Sequence, residues 1–114
     1  MGMPSVAPKR EVSEAVFQAQ VVELARILGW TVNHTRRSIG KGQKWTTATS
    51  VVGWPDLTLI GHGRALYREL KSERGKLTPE QVAVLQLLRV NGQDAEVWRP
   101  SDLDSGRIQR ELSR

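Results

Sequence analysis

The sequence predicts an α/β domain, a small mixed β-sheet flanked by α-helices, on three observations. A helix-period apolar stripe opens the chain; three short strand-like segments follow; and a helix with a complete start signal separates the third of these from a fourth.

Residues 1–12 contain two prolines and no apolar period, and read as a flexible leader to a single domain over 13–114. Ser13 is placed to cap the first helix, which runs to Gly29 and buries Phe17, Val21, Leu24 and Leu28 at three-and-four spacing. One step towards the N-terminus that stripe reaches Glu14. Residues 30–35 alternate apolar and polar as a strand does. Trp54-Pro55-Asp56 turns into a second strand ending at Ile60, and Gly61-His62-Gly63-Arg64, read as a four-residue loop, returns the chain as a third strand over 65–71. In Leu77-Thr78-Pro79-Glu80-Gln81-Val82, Thr78 is the N-cap, Pro79 the first helical residue and Gln81 the reciprocal capping partner, with Leu77 stapled against Val82. That helix buries Val84, Leu85 and Leu88 and ends at Asn91-Gly92 in a left-handed turn. A fourth strand over 95–99 precedes Pro100, and Ser101 or Asp102 caps a last, polar helix.

A chain of 114 residues that is 39% hydrophobic and 25% charged suits one folded domain. It lacks cysteine, which excludes disulfide frameworks, thiolate-bound zinc and thiol nucleophiles, and two histidines are too few for a His-built zinc site. Any metal would be held by oxygen. No apolar run approaches the roughly 18 residues of a bilayer span and residues 1–10 lack a signal-peptide core, so a cytoplasmic protein without membrane contact is expected. The net charge is +5, and its position is informative: between Glu23 and Asp56 there is no acid, while Arg26, Arg36, Arg37, Lys41 and Lys44 lie there. Arg36, Arg37, Lys41, Lys44 and Trp45 form a glycine-containing stretch that could follow a phosphate backbone and stack a base. As a solvated loop it would aid only solubility.

The hairpin carries the chemistry. Its register pairs Ile60 with Ala65, Leu59 with Leu66 and Asp56 with Glu69, and places Asp56, Glu69 and Lys71 on one face. Facing carboxylates repel unless a cation lies between them, and a hard divalent ion with waters and phosphate oxygens is the usual solution. Lys71 could then orient or deprotonate a water, or steady charge on a transferring phosphate. The competing reading is two solvated acids with Lys71 as an ion pair worth ~1 kcal/mol or less. Glu14, half-buried at an apolar stripe position, would demand a partner, or would simply favour the helix dipole. Gln81 caps its helix and could also hold Lys71 or a phosphate. Gln18 and Gln20 could meet DNA or a carboxylate, and His34 and His62 are isolated.

Pro55-Asp56, a spacer of twelve residues, then Glu69-Leu70-Lys71 resembles the PD-(D/E)XK nuclease signature. With Gly53-Trp54 before it, and Ser72-Glu73, Gly75-Lys76-Leu77-Thr78-Pro79-Glu80-Gln81 and Val97-Trp98-Arg99-Pro100 after it, the chain resembles stand-alone VRR-NUC (virus-type replication-repair nuclease) domains of phages and bacteria over residues 13–104. The resemblance implies a restriction-endonuclease-like core and a metal-dependent endonuclease leaving 5′-phosphate and 3′-hydroxyl ends. It implies that Asp56, Glu69 and the Leu70 backbone carbonyl ligate Mg²⁺ or Mn²⁺, that Lys71 positions the attacking water, and that Gln81 supports Lys71. Glu14 would complete the site directly or through water, in preference to Glu11 and Glu23. The implied substrate is branched DNA, four-way junctions or flaps, cut by a homodimer. Two alternatives stay open: a non-catalytic nucleic-acid-binding module, and a restriction-type enzyme that reads base sequence.

Overall fold

The first helix starts where Ser13 places it, because the Ser13 Oγ accepts from the Val16 N–H at 3.1 Å and so satisfies a donor that the helix itself leaves open. The computed structural model describes residues 12–35, 37–39, 45–47 and 51–114. In chain order the elements are α1 (Glu14–Ile27), β1 (Thr31–His34), β2 (Arg37–Ile39), β3 (Trp45–Thr47), β4 (Leu57–Gly61), β5 (Arg64–Leu70), α2 (Pro79–Val90), β6 (Asp94–Trp98), α3 (Pro100–Asp104) and α4 (Arg107–Leu112). The strands β2 and β3 pair with each other. The other four form a mixed sheet in the order β1-β4-β5-β6, antiparallel except for β5 and β6, which α2 connects in parallel. The chain thus has an α/β fold.

Helices cover the sheet on both faces. On one, Phe17, Val21, Val22 and Ala25 of α1 and Ile108 and Leu112 of α4 pack on Leu57, Leu59, Leu66, Leu70 and Trp98. On the other, Val84, Leu85 and Leu88 of α2 pack on Ala95, with Trp54, Tyr67, Leu77 and Val97 at the margin. The buried face of α1 is rotated from the expected stripe: Leu24 and Leu28 are only partly buried, while Val22 and the small Ala25 press on the sheet.

Four boundary expectations change. Val12, assigned to the leader, packs against the core. The β4–β5 hairpin keeps the expected register, but Gly61 pairs with Arg64, so the loop shrinks to His62-Gly63; both have positive φ, 53° and 78°, as tight hairpin turns require. Val82, the expected staple partner of Leu77, is 47% exposed, while Leu77 itself packs against the α2 cluster. The last helix is two, divided at Gly106 with φ +83°. It is not polar throughout, since Ile108 and Leu112 are buried, and Asp102 acts from the first turn of α3 by accepting from the Arg99 N–H at 2.8 Å. Among the described residues no helix is long and apolar enough to cross a membrane.

Candidate active site

Asp56 is delivered by a pinned loop. Pro55 is fully buried, Trp54 meets Tyr67 edge-on at 6.2 Å, and Gly53, with φ +93°, lies so close to α2 that a Cβ there would be 2.6 Å from the Glu80 carbonyl. The Asp56 carbonyl accepts from the Thr35 N–H at 2.8 Å, which ties the loop to the end of β1. The ladder closes at Leu57 opposite Arg68, so Asp56 stands at the mouth of the hairpin beside Glu69. There its Oδ2 accepts from the Leu70 N–H at 2.8 Å.

Glu69 is 2% exposed on the α2 side of the sheet. Its Oε2 accepts from Gln81 Nε2 at 3.0 Å and lies 3.7 Å from Lys71 Nζ. A buried carboxylate needs such donors. Gln81, itself 2% exposed, also completes the start of α2, since its Oε1 accepts from the Thr78 N–H at 2.9 Å while Thr78 Oγ1 accepts from the Gln81 N–H at 3.1 Å. One amide therefore caps α2 and holds Glu69. Gln81 and Lys71 thus grip the same carboxylate oxygen, Glu69 Oε2, from two elements.

Glu14 is exposed, not half-buried, and lies in the first turn of α1. From there its Oε2 accepts a long bond, 3.4 Å, from the Ser72 N–H directly after Lys71. Among the described residues no group of three or more His, Asp or Glu forms a ready metal cage. Two carboxylates on one sheet face still suit Mg²⁺, which keeps several waters and is commonly held by one or two carboxylates plus substrate phosphates.

Opposite this site, β5 carries a charge network that sequence reasoning missed. Arg68, 1% exposed, lies over the Trp98 ring at 4.9 Å and contacts Asp94 Oδ1 at 2.9 Å and Glu111 Oε1 at 3.1 Å. Burial opposes ionisation of Glu111, but hydrogen bonds from Arg107 and Trp98 and the charges of Arg68 and Arg107 outweigh it and hold the carboxyl below its usual range. The only sequence signal was an arginine at a core-facing strand position.

Of the expected DNA-binding residues, Arg36, Lys41 and Lys44 lie outside the described residues, and Arg37 and Trp45 are described only as backbone positions of β2 and β3; Glu11 is also outside them. Gln18 Nε2 meets His34 Nδ1 at 3.1 Å, and His62 Nε2 meets the Leu28 carbonyl at 2.8 Å, so both histidines have structural partners. Glu23 lines a groove of about 440 Å³ between α1 and His34, whose lining includes neither Asp56 nor Glu69. No protein-family model, curated protein or solved structure matches the chain.

Proposed function

We propose that the protein is a metal-dependent, structure-selective DNA endonuclease of the VRR-NUC kind, hydrolysing phosphodiester bonds in branched DNA. The observation that supports this most is the convergence of Asp56, Glu69 and Lys71 at one end of the sheet, with the Asp56 carboxylate on the Leu70 N–H and Glu69 gripped by Gln81. In this reading Asp56, Glu69 and the Leu70 carbonyl hold Mg²⁺ or Mn²⁺, with Glu14 contributing from the rim, directly or through water. A bound divalent ion stabilises charge on the phosphate and lowers the pKa of a water.

The chain's own residues do the rest. Lys71 orients the attacking water and offsets charge that builds on the phosphate. Gln81 keeps Glu69 aimed, and the basic stretch with Arg36, Arg37, Lys41, Lys44 and Trp45 draws in the DNA backbone. The products carry 5′-phosphate and 3′-hydroxyl ends. A homodimer would match the symmetry of a four-way junction.

The test is cleavage of labelled junction, flap, fork and linear duplex with Mg²⁺ by wild type, Asp56→Ala and Lys71→Ala. Wild type should cut branched DNA, and both variants should bind it while cutting at least about 10²-fold more slowly. A wild type that binds DNA but cuts none with Mg²⁺ or Mn²⁺ overturns the reading in favour of a binding module. Discrete cuts at one base sequence on linear duplex would make it a restriction-type enzyme instead.

A further inference from the structure

Lys71 is followed by a turn that the rest of the molecule holds firmly. The Nη1 of Arg99, between β6 and α3, donates to the Ser72 and Gly75 carbonyls at 2.7 Å each, with the Glu73 carbonyl at 3.3 Å. The Glu73 Oε1 accepts from the Ser101 N–H at 3.0 Å, and the Gly75 N–H closes the turn on the Ser72 carbonyl at 3.2 Å. A cation binding three carbonyls of one turn fixes backbone, since these bonds are charge-assisted and the guanidinium is planar and rigid.

The turn folds back over Lys71. A Cβ built on Gly75 would meet Lys71 Cδ at 3.5 Å and Ser72 Oγ at 2.9 Å, so the bare backbone of Gly75 lies along the lysine's stem. On the other side the Ser72 N–H points to Glu14, and the Lys71 N–H donates to the Trp98 carbonyl at 3.1 Å. Arg99 touches neither Glu69 nor Lys71 by any of these bonds, yet every one of its Nη1 bonds ends on the segment that walls Lys71 in.

We infer that Arg99 is a positioning residue for Lys71, acting through the turn over residues 72–75. Its consequence for catalysis rests on the nuclease reading; its effect on the lysine does not. Loss of Arg99 frees the turn, and the Lys71 ammonium then samples positions away from Glu69.

The restraint is read directly by NMR of protein labelled with ¹³C at lysine Cε, the Lys71 signal being assigned by its loss in Lys71→Arg. The Lys71 order parameter should exceed that of exposed Lys76 in the wild type, fall to the Lys76 level in Arg99→Ala, and recover largely in Arg99→Lys, whose ammonium can still reach the carbonyls. Gly75→Ala, which leaves Arg99 in place, should also loosen or displace Lys71. In branched-DNA cleavage, Arg99→Ala should lower kcat about 10- to 100-fold with KM within twofold, and Arg99→Lys should restore most of it. The NMR measurement needs no substrate, so a wild type that cuts no DNA refutes the nuclease reading alone. An unchanged Lys71 signal in folded Arg99→Ala, or in Gly75→Ala should Arg99→Ala not fold, overturns the positioning role.

Discussion

Gln81 offers the sharpest separation of folding from chemistry, because its two amide atoms bond to different parts of the molecule. Its Oε1 takes the Thr78 N–H, a neutral bond worth about 1 kcal/mol, while its Nε2 meets a buried carboxylate, a bond worth about 1.5–3 kcal/mol. Gln81→Ala removes both and should cost about 2.5–4 kcal/mol. Thr78→Ala removes only the cap and should cost about 1 kcal/mol. Gln81→Glu is the informative control: glutamate is a good capping-box partner and a favourable first-turn acid, but here it sets a second carboxylate against Glu69 in place of a donor. Its cost should therefore equal or exceed that of Gln81→Ala, despite the near-isosteric change. Urea unfolding at pH 7 measures all three, with unchanged slopes as the check on comparability. In cleavage assays Thr78→Ala should stay within twofold of wild type and both Gln81 variants should fall well below it. A Gln81→Glu protein as stable as wild type, or a Gln81→Ala protein no less stable than Thr78→Ala, would refute the energetic role of the Glu69 bond.

Gly53→Ala combines a strained φ of +93° with a Cβ 2.6 Å from backbone, so a loss of about 2–4 kcal/mol is expected in thermal melts, together with reduced cleavage because Asp56 rides on that loop. Glu111 ionises below its usual range when folded, so its contribution is complete above the unfolded glutamate value of about 4.3 and is lost as pH falls through the lower folded value. Glu111→Gln should cost about 2–3 kcal/mol at pH 7 and flatten the acid limb of the urea-midpoint profile below about pH 5. Glu14→Gln keeps an oxygen for the Ser72 N–H, and at an exposed site it should change stability by under about 0.5 kcal/mol while raising the Mg²⁺ concentration needed for half-maximal cleavage.

Local rules made much of this architecture legible. Two strands around His62-Gly63 have one register that buries Leu57, Leu59 and Leu66 together, so the pairing that sets Asp56 beside Glu69 could be read directly. Thr78, Pro79 and Gln81 specify a helix start by hydrogen-bond chemistry alone, and the structure reproduces it bond for bond. What depended on distant chain was not legible. Gly53 reads as an ordinary turn residue until α2 is laid against it, and the exposure of Glu14, at the start of α1, is stated by no periodicity. The division at Gly106 was hidden in the same way: a glycine between two short polar-looking segments gives little sign that Ile108 and Leu112 reach the core.

The hardest segment to read was the one that matters most. Arg68-Glu69-Leu70-Lys71 looks in sequence like the polar end of a strand, yet Arg68 and Glu69 are both almost fully buried, on opposite faces. Burying a charge is costly unless it is paired, so two such residues in succession require partners above and below the sheet. Those partners are of different kinds. Arg68 is met by Asp94, Glu111 and Trp98, a set that anchors β5 to β6 and α4. Glu69 is met by Gln81 and Lys71, with Asp56 on the loop before β4 bonded to the next residue, Leu70, and the turn after Lys71 held by Arg99. Local patterning rules are broken on both faces, but only the second brings together carboxylates and an ammonium at the sheet's end, where phosphate could arrive. The charge network on the first face fixes the strand and so keeps Glu69 aimed on the other.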